Sequence, residues 1–185
     1  MFDVARRRFL AHGLDGLAVR AIADEAGCTT MAVYTHFGGK DGLVQAFFDE
    51  GFERLAAAQR AVPADLAPRE RAIALCHAYR HLAHELPQHY DLMLGARSGA
   101  FRPAPESRRR ALGTIEFLAD VLLPLQAPGP SRRIRAADHA NLLIAFCHGW
   151  VTLERAGLFP TDARQDRAFA RGVRGLLNRE RDEAT

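Results

Sequence analysis

Glycine and proline residues divide this chain into stretches that each carry a helical spacing of apolar side chains. In the longer stretches the apolar residues recur every three or four positions, and alternating apolar and polar runs of strand length are missing. β-branched runs, which favour strands, are missing as well. The pattern predicts an all-α protein of about nine helices.

The breaks set the predicted helix bounds. In the first part of the chain we expect helices at residues 2–12, 18–26 and 30–37, and a fourth that begins near residue 40. A linker with two prolines follows at residues 61–68. Five more helices are predicted beyond it, at residues 69–86, 87–94, 107–123, 131–156 and 163–181.

The most informative stretch begins at Ile22 and consists of a helix, a glycine-containing turn and a second short helix. This is the helix-turn-helix layout. Gly27 permits a positive φ at the turn, and Thr29 is a suitable N-cap for the second helix. The first backbone N–H groups and the positive dipole end of that helix then lie at the surface. The side chains that project outward from it are Thr30, Met31, Tyr34 and Thr35.

Residues 4–48 resemble the N-terminal pattern of the TetR family of bacterial transcription regulators. The pattern Tyr-x-His-Phe-x-x-Lys-x-x-Leu at residues 34–43 follows the helix-turn-helix at a fixed distance, which makes the match far more specific. The resemblance implies that Thr30, Met31 and Thr35 face base edges or flanking phosphates. It also implies that Thr29, Tyr34, His36 and Lys40 hold phosphates, a role that positions a protein on DNA. Ala18 departs from the pattern, which often has Ser or Thr there.

The resemblance divides the chain into a helix-turn-helix DNA-binding domain, residues 1–48, and a ligand-binding and dimerisation domain, residues 49–185. Residues 79–93 and 146–159 look like the second domain of a TetR subgroup with a Trp/His-Gly signature in its penultimate helix. The resemblance implies a regulator without a cofactor, expected to be a repressor. Its partners would be a double-stranded, pseudo-palindromic DNA operator, a second copy of the chain, and a small, largely apolar effector that releases it.

The last two predicted helices carry apolar stripes that suit a four-helix interface about a twofold axis. The predicted interface residues are Leu142, Ala145, Gly149, Thr152, Phe169, Val173 and Leu176. The alternative is that both stripes are buried within one subunit.

An effector pocket is predicted in the C-terminal domain, because its segments carry more apolar side chains than a helix pair needs, with a few polar ones among them. The predicted lining is Cys76, Tyr79, Ala83, His89, Tyr90, Met93, Leu118, Asn141, Ile144 and His148. The alternative is a fully packed core without a cavity.

Net charge does not identify the N-terminal part as a DNA binder. Residues 1–60 hold seven basic and eight acidic side chains, although the whole chain carries +3. The three cysteines lack CxxC spacing and are expected to be reduced and mostly buried. His77 and His81 stand at i and i+4 but lack a well-spaced acidic or cysteine partner, so no metal site is predicted. Without a signal peptide or a long apolar run, we expect a cytoplasmic protein with no membrane contact.

Two other classes of protein, an enzyme and a helical adaptor, are alternatives to a transcription regulator. An enzyme is disfavoured because the sequence has no nucleophile elbow, no P-loop, no GxGxxG and no Ser/His/Asp set that can be placed. A helical adaptor that has lost DNA binding stays open, because the N-terminal charge is weak and Ala18 replaces a capping residue. Binding to a promoter fragment separates the regulator from both alternatives.

Overall fold

The computed structural model describes residues 1–94 and 101–182, and these ranges contain nine α-helices and no strand. They are α1 Phe2–His12, α2 Val19–Ala26, α3 Thr30–Phe37, α4 Lys40–Ala61, α5 Pro68–Glu85, α6 Pro87–Leu94, α7 Pro105–Leu122, α8 Arg132–Arg155 and α9 Ala163–Asp182. Short 3-10 turns lie at Gly13–Leu17 and Leu123–Leu125. The predicted all-α fold is confirmed.

The observed helix bounds lie within two residues of the predicted ones, and the small differences have local causes. Ala18 has no polar side chain to cap a helix, and it adopts an extended conformation just before α2 begins at Val19. Proline begins α5 and α7, at Pro68 and Pro105, because its fixed φ suits the first helical position. Within the described ranges, none of the helices has the length and apolar character needed to cross a bilayer.

The described residues form two compact units. Unit 1 consists of residues 1–53 and 86–110 and so contains α1, α2, α3, the first part of α4, and α6. Unit 2 consists of residues 54–85 and those from 111 onward, which include α5, α8, α9 and most of α7. The predicted domain boundary after residue 48 stays a prediction.

The core of unit 1 is built on stacked aromatic rings. The ring of Phe9 on α1 lies 4.4 Å from that of Phe47 on α4. The ring of Phe2, also on α1, lies 5.4 Å from the ring of Phe47. From α6, the imidazole of His89 meets Phe9 edge-on at 5.0 Å. Ile22 of α2 is fully buried in the same unit. These contacts make α1, α4 and α6 a rigid base for the helix-turn-helix, since aromatic pairs add to the burial of apolar area.

Unit 2 is held together by a buried ion pair in addition to its apolar core. The carboxylate of Glu154 on α8 is fully buried and lies 2.6 Å from Nη2 of Arg80 on α5. The same carboxylate is 2.8 Å from His84 Nε2 and accepts a hydrogen bond of 3.0 Å from Trp150 Nε1. Arg80 also reaches Asp166 on α9, at 2.8 Å. One carboxylate and one guanidinium thus connect α5, α8 and α9.

The pKa of Glu154 reflects two opposing effects. Burial raises it, but the bonds from Arg80, His84 and Trp150 outweigh burial, so the net pKa lies below the ordinary value. A lowered pKa means that the ionised carboxylate stabilises the fold above about pH 4.5, and that this stabilisation is lost as the pH falls through the lower folded pKa.

We expect Arg80→Leu to lower the free energy of unfolding by about 3–5 kcal/mol at pH 7, because it leaves a buried carboxylate without its main partner. The deficit should shrink towards pH 4, where protonation of Glu154 removes the unpaired charge. Urea unfolding followed by circular dichroism at both pH values measures this. Arg164→Leu, at an exposed arginine of α9, is the control and should change little. An equal deficit at both pH values would contradict the assignment of the effect to Glu154.

Candidate functional site

Helix α3 is set in place by the turn that precedes it. Gly27 adopts a left-handed conformation with φ 64°, and its backbone N–H closes α2. Thr29 is extended, and its Oγ1 accepts a hydrogen bond of 3.2 Å from the backbone N–H of Ala32. The side chain of Val33 is fully buried and anchors the inner face of α3. The turn, the cap and the anchor agree with the helix-turn-helix expected from the sequence.

The outer face of α3 carries the side chains that were predicted to meet DNA. All seven predicted residues are exposed: Thr29, Thr30, Met31, Tyr34, Thr35, His36 and Lys40. The hydroxyl of Thr35 donates a 2.9 Å hydrogen bond to the carbonyl of Met31. It can therefore only accept a further bond, whereas the hydroxyl proton of Thr29 remains available to a phosphate.

The turn after α3 fixes the ring of Tyr34. Gly38 ends the helix with φ 72°, and Gly39 continues at φ 85°. A Cβ on Gly39 would lie 2.5 Å from Cε1 of Tyr34, so only glycine lets the ring rest on the turn. Lys40 follows directly as the first residue of α4. The sequence showed a glycine pair ending the helix, but not that the second glycine seats Tyr34.

Ion pairs fasten α1 to α2 and occupy two of the basic side chains near the N-terminus. Arg7 and Arg8 reach the carboxylate of Glu25 at 3.0 and 3.1 Å. Arg8 also donates through Nε to the carbonyl of Gly16 at 2.9 Å. The hydrogen bonds from both arginines hold the pKa of Glu25 below its ordinary value. Because Glu25 offsets one of their two positive charges, these arginines do not make α2 a strongly cationic surface.

The predicted effector residues are distributed over both units. Cys76, Tyr79, Ala83 and Leu118 are buried in unit 2, where Ile144 and His148 are half-buried. His89, Tyr90 and Met93 are buried in unit 1. Asn141 is exposed, because it lies on the outer face of α8. In unit 2, Tyr79 Oη on α5 lies 3.5 Å from His148 Nδ1 on α8. The same two helices carry the buried thiols of Cys76 and Cys147.

The thiol of Cys147 stays protonated. A hydrogen bond with Cys76, together with burial, raises the pKa of Cys147 far above its ordinary value. A thiol that stays protonated is a poor nucleophile and a poor metal ligand. Cys147 is therefore a compact apolar group, and Cys76 is buried with it in the core of unit 2.

The predicted interface residues also divide into two sets. Leu142, Ala145, Gly149 and Thr152 are exposed along one face of α8, and Leu176 of α9 is half-buried. Phe169 and Val173 are fully buried inside unit 2, where the ring of Phe169 stacks 5.6 Å from that of Phe146. For these two residues the structure favours the alternative reading, in which the α9 stripe is buried within one subunit.

Comparison with known proteins identifies this arrangement. The family model described as "Tetracyclin repressor-like, C-terminal domain" matches residues 72–176, more than half of the chain. The chain belongs to the TetR family. The model described as "Bacterial regulatory proteins, tetR family" matches residues 2–47, which include α1, α2 and α3. Membership confirms the predicted TetR-type transcription regulator and agrees with a protein that is not an enzyme.

Curated TetR-like relatives match over part of their length. The "HTH-type transcriptional regulator" Rv1816 of Mycobacterium tuberculosis and Mb1846 of Mycobacterium bovis are each 29% identical over 107 residues, which is 56% of this chain and 46% of the relative. The chain thus spans about half the length of the curated relatives it matches.

Solved structures share the fold over nearly the whole chain. A protein from Rhodococcus sp. RHA1 has a TM-score of 0.78 at 26% identity and covers 95% of this chain and 90% of that one. BioQ, solved with its double-stranded DNA operator, has a TM-score of 0.66 at 20% identity, covering 95% and 94%. A TetR from Acinetobacter baumannii AYE, solved with minocycline, has a TM-score of 0.68 at 18% identity, covering 100% and 96%.

The polar cluster of this TetR chain around Glu154 was not among the predicted site residues. A surface pocket in unit 2 lies beside that cluster and is lined by His77, Arg80, His81, His84, Thr161 and Asp166. Burial, with the nearby Arg80 charge, lowers the pKa of His77. Across residues 1–94 and 101–182, no group of three His, Cys, Asp or Glu side chains is arranged to hold a metal ion. The available signal was a Trp and a Glu four residues apart on one helix face.

Proposed function

We propose that this chain is a ligand-responsive repressor that binds a pseudo-palindromic operator as a homodimer and is released by a small, largely apolar effector. The observation that carries the proposal is the exposed face of α3, which is capped at its start, anchored by Val33 and followed by Lys40. A capped helix that presents hydroxyls and an adjacent cation suits a duplex, because backbone contacts position a protein and base contacts specify the sequence.

Operator binding is tested on duplexes selected from a random pool and on the promoter beside the chain's own gene. A gel shift with a selected duplex, but not with its shuffled version, supports a sequence-specific regulator. The lack of any enriched duplex would favour the adaptor that has lost DNA binding.

Lys40→Ala should weaken binding to selected and shuffled duplexes alike, because a phosphate contact is blind to sequence. Each phosphate contact contributes a slope of about 0.9 in log affinity against log salt, so a dimer losing two contacts should show a slope shallower by about two. Fluorescence anisotropy over a salt series measures this. Arg60→Ala removes an exposed cation from the last turn of the same helix and serves as the control. An unchanged salt slope for Lys40→Ala would show that Lys40 does not contact the DNA phosphates.

A homodimer is supported by the two faces of α8. One face is buried in the protomer through residues such as Leu143, Cys147 and Val151. On the opposite face Leu142 is 59% exposed, and the small residues Ala145 and Gly149 continue the stripe. Small side chains let a second helix approach closely, and a twofold axis would pair this face with itself. We therefore propose Leu142, Ala145, Gly149 and Thr152, with Leu176 of α9, as the interface.

We expect Leu142→Arg to yield a monomer that keeps its helical content and binds the selected duplex at least tenfold more weakly, since one protomer reaches only one half-site. Multi-angle light scattering and anisotropy measure the two effects. Leu112→Arg alters a comparably exposed leucine on α7 and should leave the dimer intact. A Leu142→Arg protein that remains dimeric would place the interface elsewhere.

The effector pocket is proposed in unit 2, around Cys76, Tyr79, Leu118, Ile144 and His148. Apolar side chains predominate there, and the Tyr79 and His148 pair supplies the few polar groups that orient a small ligand. An effector releases the operator when it binds better to a conformation in which the α3 helices are misplaced. A differential affinity of about 1.4 kcal/mol already changes operator affinity tenfold.

Ile144→Trp should fill the proposed pocket, because Ile144 is half-buried on α8. We expect effectors found by a ligand screen on the unchanged protein to release this variant only at concentrations at least tenfold higher, with operator affinity in their absence unaffected. Ile134→Trp, at an exposed position of the same helix, is the control. Equal release of Ile144→Trp and the unchanged protein would show that the effector binds elsewhere.

A further inference from the structure

The outer face of α3 lacks the side chains that usually read bases by hydrogen bonding. The most selective hydrogen bonds to bases in the major groove come from Arg, Lys, Asn, Gln, Asp and Glu, and α3, with the sequence TMAVYTHF, contains none of them; its threonine hydroxyls can bond to any of several bases. Its exposed residues near the N-terminal end, the end that meets base edges in a helix-turn-helix, are Thr30 and Met31. Because threonine hydroxyls discriminate poorly between bases, an apolar contact in the groove would add specificity to this helix.

Met31 is the most prominent apolar group on this surface. Its side chain is 70% exposed, the highest value among the large exposed hydrophobic residues of the described chain. It occupies the second position of α3, next to the Thr29 cap. An unbranched thioether side chain with three rotatable bonds adapts its shape to an irregular apolar contact. Burial of this side chain against an apolar group of the DNA would be favourable, and its place at the tip of α3 allows such a contact.

The hydroxyl group of Thr35 is already engaged within α3. Thr35 gives its hydroxyl proton to the carbonyl of Met31, so it cannot donate to a base and turns towards DNA only acceptor lone pairs and a methyl group. Tyr34 rests on the turn at Gly39, beside Lys40 and away from the start of the helix. Met31 is therefore the large apolar side chain at the start of α3, where it can reach the floor of the groove.

Thymine offers the partner, because its C5-methyl group is the apolar feature that the major groove presents. We propose that Met31 is a specificity-determining residue that reads thymine methyl groups, so that the preferred half-site carries thymine at the positions facing the start of α3. This inference rests on the proposed operator binding and assigns the chemistry by which the operator is recognised.

The test compares thymine with deoxyuracil, which lacks only the methyl group. Duplexes selected from a random pool are resynthesised with deoxyuracil at every thymine and then at one thymine at a time. Affinities at one fixed salt concentration are measured for the unchanged protein, Met31→Ala and Leu158→Ala. Leu158 is 69% exposed in unit 2, so Leu158→Ala is a matched truncation of an exposed apolar residue remote in sequence from α3.

For the unchanged protein and Leu158→Ala, deoxyuracil should lower affinity about fourfold for each contacted methyl, and about fifteenfold for one in each half-site. Met31→Ala should bind the thymine duplex more weakly by a similar factor and lose less than about twofold more with deoxyuracil. Circular dichroism should show Met31→Ala folded like the unchanged protein, because the side chain is exposed.

The outcomes separate this inference from the proposed function. If the unchanged protein binds selected duplexes and is indifferent to deoxyuracil at every position, the methyl readout is wrong while operator binding stands. If Met31→Ala loses as much affinity with deoxyuracil as the unchanged protein does, another side chain reads the methyl and the assignment to Met31 is wrong. If no duplex is enriched, the proposed function fails, and this inference fails with it.

Discussion

Of the eight residues of α3, only Val33 is buried, so the orientation of this helix depends on its two ends. An eight-residue helix is marginal in water by itself. The left-handed turn at Gly27 and the Thr29 cap define where α3 begins. At the other end, the missing Cβ of Gly39 leaves room for the ring of Tyr34. Because both ends are set by backbone geometry, the outer face can vary without loss of the fold, which is what a family of sequence-specific regulators requires.

The ion pairs of unit 1 are a reason why the helix-turn-helix region has no strongly basic patch. Arg7 and Arg8 pair with Glu25, and Arg6 pairs with Glu50 at 3.3 Å. These pairs fix α1 against α2 and α4, and their two carboxylates offset two of the three positive charges. A protein with few phosphate-binding cations binds non-specific DNA weakly, because that binding comes almost entirely from counterion release. Specific recognition then depends more on contacts at the groove floor, which is the part proposed for Met31.

The helices could be predicted from the sequence because their ends are marked locally. A proline or glycine stands at nearly every break, and the caps act within four residues of it. The exposure of the residues proposed to face DNA could also be predicted, since they lie on or directly beside one short helix. The Glu154 cluster could not, because Arg80 and Glu154 lie 74 positions apart and only the packing of α5 on α8 brings them together.

Periodicity likewise finds an apolar face without naming what covers it. The stripe of α9 that contains Phe169 and Val173 has the spacing of an interface, yet the same spacing serves a core within one protomer. The predicted effector residues show the same limit of periodicity. Tyr90 and Met93 of α6 belong to unit 1 with the helix-turn-helix, whereas other predicted lining residues belong to unit 2. A single sequence shows which face of each helix is apolar, but not which other helix packs against that face.

Helix α8 shows how unit 2 can keep a stable core and still present a surface to a partner. Its inner face carries Cys147, Val151 and Glu154, all buried, and the Arg80 bonds to Glu154 fix the rotation of the helix about its own axis. Fixing that rotation also fixes the direction of the outer stripe that begins at Leu142. Because an isologous interface repeats each contact about a twofold axis, a small rotation of α8 would disturb it twice. The buried ion pair can therefore matter for the geometry of the proposed dimer face even though the net stability gained from such a pair is often small, because desolvation offsets much of the attraction.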